Sequence, residues 1–266
     1  MIARDDHFRA AEIAEVAGNM LLELRARLFR EASSPEELKA TGDRVSNQVI
    51  LELLAPQLAE GDAVLCEEHP DDPARLGAER VWIIDPLDGT REFSERGRDD
   101  WAVHVAMAFR GEPLVGAVAL PALGLVSHTG EAPSVKPSTR GPMRVLASRT
   151  RPPEVASWVV AELGAELVQM GSAGAKAMAV ARGDADAYIH AGGQFEWDSC
   201  APVAVARAAG LHASRLDGSP LRYNRPDPYL PDLLICRREV TDDIGEALAA
   251  FRRANHADRR EIVNES

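Results

Sequence analysis

The chain has 266 residues, of which 45% are hydrophobic and 27% are charged, and its formal net charge is −12. This composition is typical of a soluble globular protein, and the acidic balance argues against a groove that binds nucleic-acid phosphates. No apolar run approaches the roughly 20 residues of a membrane-spanning helix, and the charged segment Met1-Ile2-Ala3-Arg4-Asp5-Asp6 lacks a signal-peptide core. We therefore expect a cytoplasmic protein that binds neither nucleic acid nor membrane.

The first part of the chain predicts two helices followed by strands. Apolar residues recur at helical spacing over residues 6–30, and Ser33-Ser34-Pro35 ends that helix. A second helix is predicted from Asp43 to Leu58, with Thr41-Gly42-Asp43 as its start signal. Further strands are predicted at 63–67, 81–85, 101–110, 114–120 and 124–128, with a hairpin turn at 110–113.

A polar segment divides the chain. Residues 130–142 are rich in glycine, proline, serine and threonine, which predicts a linker between an N-terminal half, 1–135, and a C-terminal half, 143–266. Beyond the linker, strands and helices alternate, and the polar tail from 256 to 266 is expected to fray. The predicted strands are 143–147, 166–170, 186–190 and 232–236, and the predicted helices are 153–163, 172–182, 198–209 and 241–254.

The most informative segment is Trp82-Ile83-Ile84-Asp85-Pro86-Leu87-Asp88-Gly89-Thr90. Two carboxylates at a strand exit, with the Leu87 carbonyl between them, suit a hard cation such as Mg²⁺. Gly89 allows close approach by a ligand, and Thr90 adds a hydroxyl. The same residue types also form an ordinary turn, so this segment alone leaves both interpretations open.

Further acids occur at predicted element ends. Glu67 and Glu68 close a strand, Asp198 follows Trp197 and opens an alanine-rich helix, and Asp43 opens the second helix. Each alone has a structural alternative, as a helix cap or a solvated strand end. Together they predict one acidic site, and an acidic site needs bound cations if it is to accept a phosphate.

The order of these motifs resembles one family. Glu-Glu, then D-P-x-D-G-T, then W-D before an alanine-rich helix resembles the signature of the inositol monophosphatase superfamily, from the Asp43 helix to Asn224. The resemblance implies an α+β fold, the layered α/β/α/β/α sandwich of the inositol monophosphatase and fructose-1,6-bisphosphatase type. It also implies a site between the two halves and a homodimer.

The resemblance further implies a Mg²⁺-dependent phosphomonoesterase with two ions and a third, weaker one. Glu67, Asp85 and the Leu87 carbonyl would hold the first ion, and Asp85, Asp88 and Asp198 the second. Glu67 would help to hold the third through water, which makes it part of the catalytic set. Two ions about 4 Å apart bracket the attacking and leaving oxygens of a phosphate ester, and lithium is expected to compete for a magnesium position.

The resemblance also implies a proton relay and a phosphate site. Thr90, hydrogen-bonded to Asp43, would orient and deprotonate the attacking water. The amides of Gly89 and Thr90, at a helix start, would bind the phosphate beside Leu87, Asp88 and Asp198.

Several segments are similar to bisphosphate nucleotidases of the CysQ type. Thr90-Arg91-Glu92-Phe93 is closer to their T-K-E-F than to the T-x-N-F common in inositol monophosphatases. Glu196-Trp197-Asp198, the segments 217–221 and 223–227, and Gly171-Ser172 with Lys176 also match. This similarity implies hydrolysis of 3′-phosphoadenosine 5′-phosphate to AMP, with 3′-phosphoadenosine 5′-phosphosulfate as a further substrate.

The same similarity makes Ser148, Arg149 and Lys176 candidate contacts for the nucleotide. Ser148-Arg149 matches the V-x-S-R strand end of that branch. Exposed lysines and arginines are ordinarily just solvated, so each contact has a structural alternative.

Two segments depart from the pattern, at 39–42 and at 96–100, and they leave inositol phosphates and fructose 1,6-bisphosphate open as substrates. A different class is a non-catalytic anion-binding or metal-binding protein that keeps the fold. The presence of both Asp43 and Thr90 counts against it, since a binder needs no proton relay. The cysteines, Cys66, Cys200 and Cys236, fit no zinc pattern and are expected to be reduced.

Overall fold

A computed structural model describes residues 2–135 and 141–264, with side chains as far as residue 255. Seven α-helices and ten strands are present in these ranges. The helices are α1 (Arg4–Arg30), α2 (Pro35–Leu54), α3 (Thr90–Ser94), α4 (Glu154–Leu163), α5 (Ala173–Arg182), α6 (Glu196–Ala208) and α7 (Thr241–Asn264). The strands are β1 (Ala63–Cys66), β2 (Arg80–Asp88), β3 (Ala102–Phe109), β4 (Glu112–Leu120), β5 (Leu125–His128), β6 (Arg144–Ser148), β7 (Glu166–Met170), β8 (Ala187–Phe195), β9 (His212–Ser214) and β10 (Tyr229–Cys236).

The strands form two five-stranded sheets. The first has the order β1-β2-β3-β4-β5, and the second has the order β7-β6-β8-β10-β9. Strand β2 pairs in parallel with β1, and β6 pairs in parallel with both β7 and β8, whereas the remaining pairs are antiparallel.

Three apolar clusters hold five layers together, and the central cluster fills both faces of the layer formed by α5 and α6. Because successive strand side chains point to opposite faces, Trp82 and Ile84 pack against α1 and α2, while Val81 and Ile83 face α5 and α6. The far side of α5 and α6 covers the second sheet, whose other face packs against α4 and α7. The predicted α/β/α/β/α sandwich is therefore confirmed.

The start of α2 was predicted wrongly. The helix begins at Pro35, not at Asp43, because Ser34 and Glu37 form a reciprocal capping box and proline suits the first helical position. Gly42 lies inside the helix, where a Cβ would come within 2.8 Å of Leu87 and 2.9 Å of Phe93. The glycine thus brings α2 close to the D-P-L-D-G-T segment, and the alternative that Asp43 caps a helix is wrong.

Other boundaries differ in the second sheet. Strand β8 continues through two glycines to Phe195, β10 begins at Tyr229, and the short β9 was not predicted. Glycine pairs weaken a strand signal, although the antiparallel pairing of β8 with β10 holds both strands here. Helix α7 continues ten residues beyond its predicted end at 254, and residues 136–140 of the predicted linker lie outside the described residues.

None of the helices in the described ranges has the length and apolarity needed to cross a membrane.

Candidate metal centre and active site

The pairing of β1 with β2 brings the predicted acids together. Cys66 lies opposite Ile84, and the Glu67 amide donates to the Ile84 carbonyl at 3.3 Å, so Glu67 emerges beside Asp85. The pairing of β2 with β3 is interrupted between Asp85 and Asp88 by a bulge, which is a common device for redirecting side chains at a site.

The bulge is held in place from two directions. The Leu87 amide donates to Oδ1 of Asp85 at 3.0 Å, and the Ser46 hydroxyl on α2 donates to the Pro86 carbonyl at 2.7 Å. Leu87 itself is buried against α2. The segment that carries both aspartates is therefore fixed by the Asp85 carboxylate within its own turn and by a contact from α2.

Asp85, Asp88 and Asp198 form a carboxylate triad. One oxygen of each lies within 4.8 Å of the others, and Asp85 and Asp88 are buried. Burial raises the pKa of Asp85 well above its usual value, and repulsion from Glu67, Asp88 and Asp198 adds to the shift. Burial and Asp88 likewise raise the pKa of Asp198 to about 7. A divalent cation would remove this repulsion, and an all-oxygen donor set suits Mg²⁺, so these residues fit the metal that the sequence predicts.

Asp88 differs from the other two because donors from α5 surround it. Oδ2 of Asp88 accepts from the Ser172 hydroxyl at 2.5 Å and from the Gly174 amide at 2.7 Å. Nε2 of the fully buried His104 lies 3.3 Å from the same oxygen, in an orientation that makes no hydrogen bond. The pKa of Asp88 is held far below its usual value by His104, Lys176 and Ser172, against the effect of burial.

Asp198 has two roles in the structure. It is the third residue of α6, and its Oδ2 accepts from the Phe195 amide at 2.7 Å, as in a capping box. Asp198 therefore does cap α6, and the same carboxylate also belongs to the triad.

Glu67, Glu68 and Asp43 lie at the outer edge of the triad. Burial raises the pKa of Glu67, and the charges of Asp88 and Glu68 add to the shift. Burial, then repulsion from Glu68 and Glu67, raises the pKa of Asp43 to about 8. Asp43 therefore takes up protons near neutral pH as long as no cation is close.

Thr90 is the first residue of the one-turn helix α3, directly after Gly89 in the left-handed conformation (φ 86°). A Cβ at position 89 would come within 3.2 Å of the Asp100 carbonyl. Both the left-handed backbone and this close contact therefore favour glycine at this position. The hydrogen bonds of the described residues do not include one between Thr90 and Asp43.

A cleft of about 410 Å³ opens beside the triad. Asp88, Asp198, Ser148 and Lys176 line it, as the sequence predicts for substrate contacts. The Lys176 ammonium is nevertheless occupied, because it donates to the carbonyls of Gly171 and Ser172 at 3.0 and 2.7 Å and approaches that of Met170 at 3.4 Å. Burial lowers its pKa to about 8.

Arg149 is also occupied. Its guanidinium binds Glu92 at 2.7 Å and Glu95 at 3.0 Å, and the residue is not among those that line the cleft. The structure thus brings Ser148 and Lys176 to the cleft but directs Arg149 to α3.

Three residues with polar side chains line the cleft although the sequence did not indicate them: Arg151, His190 and Gln194. The exposed Arg151 guanidinium has no ion-pair or hydrogen-bond partner in the described part of the chain. Nε2 of His190 and Oε1 of Gln194 are buried without hydrogen-bond partners there, and burial lowers the pKa of His190 to about 4. Arg151 lies two residues beyond the V-x-S-R match, which is the signal that could have identified it.

Comparison with known proteins agrees with this geometry. The model of the inositol monophosphatase family matches residues 5–254. A Mycobacterium bovis protein named 3′-phosphoadenosine 5′-phosphate phosphatase is 54% identical over 244 residues, which are 88% of this chain and 89% of that protein. The 3′(2′),5′-bisphosphate nucleotidase CysQ of Escherichia coli O157:H7 is 30% identical and covers 84% of this chain and 95% of its own length.

Solved structures show the same fold. CysQ from Bacteroides thetaiotaomicron is 26% identical, has a TM-score of 0.70, and covers 87% of this chain and 96% of its own. The inositol monophosphate complex of SaIMPase-II is 19% identical, has a TM-score of 0.74, and covers 96% of this chain and 99% of its own. The family model, the identities and the acidic triad agree, and the chain belongs to the inositol monophosphatase family.

Proposed function

We propose that the protein is a Mg²⁺-dependent phosphomonoesterase that removes the 3′-phosphate of 3′-phosphoadenosine 5′-phosphate and releases AMP and phosphate. The observation that carries this proposal is that Asp88 and Asp198 of the carboxylate triad line the same cleft as Arg151. The name of the 54% identical Mycobacterium bovis relative, 3′-phosphoadenosine 5′-phosphate phosphatase, supports the same substrate.

Asp85, Asp88 and Asp198 would hold Mg²⁺, with Glu67 and the Leu87 carbonyl completing a set for two ions and Glu67 serving a third. Bound Mg²⁺ supplies neutralisation of the ester's charge and a lower pKa for water. Ser172 and the Gly174 amide keep one oxygen of Asp88 occupied, which fixes the direction in which its other oxygen points.

Thr90 would accept the proton of the attacking water and pass it to Asp43. Burial and repulsion from Glu68 and Glu67 raise the pKa of Asp43 to about 8 without metal; bound Mg²⁺ would lower it, so that the ionised carboxylate could take up the proton. The hydrogen bond between Thr90 and Asp43 would form with substrate present, since catalytic hydrogen bonds often tighten only in the complex. Gly42 already brings α2 against Leu87 and Phe93, on either side of Thr90.

In the cleft, a nucleotide with two phosphates has two anchors. The reacting phosphate lies at the triad, and the second phosphate meets Arg151 and Ser148 instead of Arg149, which is paired elsewhere. Binding energy at such a remote phosphate is useful for catalysis when it fixes the reacting phosphate in place. The homodimer, the division at about residue 140 and the action on 3′-phosphoadenosine 5′-phosphosulfate remain predictions.

The test is a comparison of kcat/KM for 3′-phosphoadenosine 5′-phosphate, AMP, inositol 1-phosphate and fructose 1,6-bisphosphate, with Mg²⁺ and with excess chelator. We expect the bisphosphate nucleotide to have the highest value and chelation to abolish activity. Arg151→Met should raise the KM for the bisphosphate nucleotide by about 10- to 100-fold, because a charge-assisted contact contributes about 1.5–3 kcal/mol.

Arg253→Met is the control, because Arg253 is likewise an exposed arginine but lies on α7 and does not line the cleft. Hydrolysis of inositol 1-phosphate should be unchanged in Arg151→Met, since it has no second phosphate. A tenfold higher kcat/KM for either non-nucleotide ester would contradict the substrate assignment.

A further inference from the structure

Helix α3 is a single turn and needs help from the rest of the protein. It has five residues, Thr90–Ser94, and an isolated turn of this length is not stable in water. The last carbonyls of a helix lack partners within it, and in this turn the Phe93 carbonyl is one of them, whereas that of Glu92 accepts from the Glu95 amide. The helix nevertheless carries Thr90, whose hydroxyl has to be held in position for proton transfer.

Arg25, on α1, supplies the missing partners. Its Nε donates to the Phe93 carbonyl at 2.7 Å, and its Nη2 donates to the carbonyls of Glu95 at 2.6 Å and Glu92 at 3.2 Å. One guanidinium thus binds three carbonyls at the C-terminal end of α3, which its rigid planar fork of donors makes feasible.

The guanidinium is itself fixed in place. It lies 5.6 Å from the ring centre of Phe93, 5.5 Å from that of Trp101 and 5.3 Å from that of Phe29. Burial lowers the pKa of Arg25, which reflects how far the cation is withdrawn from water. A cation held by three rings and three carbonyls has little freedom to move. The end of α3 that it binds is therefore restrained too.

A second arginine holds the side chains of the same helix turn. Arg149, at the end of β6, binds Glu92 and Glu95 through their carboxylates. Arg25 differs because it binds the backbone, and so its effect does not depend on those side chains. The two arginines approach α3 from the α1 layer and from the second sheet.

We propose that Arg25 is a positioning residue that holds the backbone of α3 and thereby places the Thr90 hydroxyl beside the carboxylate triad. This assignment depends on the role given to Thr90 in the proposed function. Arg25 touches neither the triad nor the cleft, so its effect on turnover passes through α3.

The experiment is a double-mutant cycle between Arg25→Met and Thr90→Ala, with Arg27→Met as the matched control. Arg27 is an exposed arginine on the same helix, with no side-chain contact to α3. Arg25→Met should lower kcat by about 10- to 100-fold, the loss that a displacement of about 1 Å can cause. KM and the Mg²⁺ concentration for half-maximal activity should change less than about twofold, because Arg25 contacts neither substrate nor metal ligands.

In the Thr90→Ala background, Arg25→Met should cause no further loss, since both act on one step. Equal losses in both backgrounds would overturn the assignment and show a general effect on folding. Arg25→Lys keeps a cation but not the fork, and it should give an intermediate kcat. It also serves in place of Arg25→Met if that variant does not fold.

Hydrogen exchange gives an independent readout. The Phe93 and Glu95 amides donate to carbonyls of Gly89 and Glu92 within this turn, and their exchange should accelerate in Arg25→Met while α2 amides keep wild-type rates. Unchanged exchange at these two amides would overturn the proposal. Full activity of Thr90→Ala would instead refute the relay, and exchange would still decide whether Arg25 holds α3.

Discussion

Replacement of Asp43 by asparagine should stabilise the metal-free protein and should also remove most of the turnover of the enzyme with Mg²⁺ bound. Asp43 lies inside α2, between the cap at Ser34 and the helix end at Leu54, and so it contributes no capping energy. Burial and repulsion from Glu68 and Glu67 raise its pKa to about 8. A charge that the fold disfavours this strongly lowers stability whenever it is present.

The size of the effect follows from proton linkage. An unfolded aspartate titrates at 3.8, so between about pH 4 and pH 8 the folded protein binds more protons than the unfolded chain. The free energy of unfolding therefore falls as pH rises through this window. At pH 7 the shift corresponds to at most about 4 kcal/mol, and solvent access at this half-buried side chain reduces the expected gain from Asp43→Asn to about 1–3 kcal/mol.

The assay is urea unfolding in excess chelator at about pH 5 and pH 7, with Glu52→Gln as control because Glu52 is an exposed acid on the same helix. Asp43→Asn should gain most at the higher pH, and the gain should shrink when Mg²⁺ is added, because a nearby cation lowers the pKa of Asp43. Turnover should fall by about 10²- to 10⁴-fold. If Asp43→Asn is no more stable than the wild type in chelator at pH 7, the electrostatic reasoning is wrong.

Three other changes test the triad, its support and the cleft. Asp85→Asn should abolish nearly all activity and weaken Mg²⁺ binding in calorimetry; near-normal binding would exclude Asp85 as a shared ligand. A Cβ at Gly174 would overlap Nε2 of His104, so Gly174→Ala should destabilise the fold by about 1–3 kcal/mol in thermal melts, whereas Gly245→Ala, in an open part of α7, should not. The pKa of His190, about 4, is below that of the unfolded chain, so stability is lost as pH falls from about 6.5 to 4; His190→Gln should reduce the loss between pH 7 and 5 by about 2 kcal/mol, and parallel pH profiles would contradict this.

The fold and the acidic site could be predicted because both follow from local patterns. The uninterrupted apolar run Val81, Trp82, Ile83 and Ile84 predicts a strand buried on both faces, and this run ends directly at Asp85. Glu67 follows a second apolar strand, and the parallel pairing of the two strands then places the acids side by side. No long-range information is needed beyond the pairing itself.

The contacts of the basic side chains Lys176 and Arg25 could not be predicted in the same way. Lys176 is near Ser172 in sequence, yet only the tertiary fold shows that three carbonyls take up its ammonium. Arg25 looks like one of several arginines on an amphipathic helix, and its role depends on a helix end more than sixty residues away. Long basic side chains reach far from their own backbone, so sequence position restricts their contacts weakly.

The structure also changes what the CysQ-like segments imply about substrate. The glutamate of T-R-E-F, Glu92, and the arginine of V-x-S-R, Arg149, bind each other at 2.7 Å. These two matches therefore reflect one ion pair between α3 and β6, and they are not independent indications of a nucleotide. Substrate choice has to be made by groups that face the cleft, among which Arg151 is the cation without a partner in the described chain. Loss of the Glu92–Arg149 pair should accordingly lower kcat for every phosphate ester alike, whereas loss of Arg151 should act on the bisphosphate nucleotide alone.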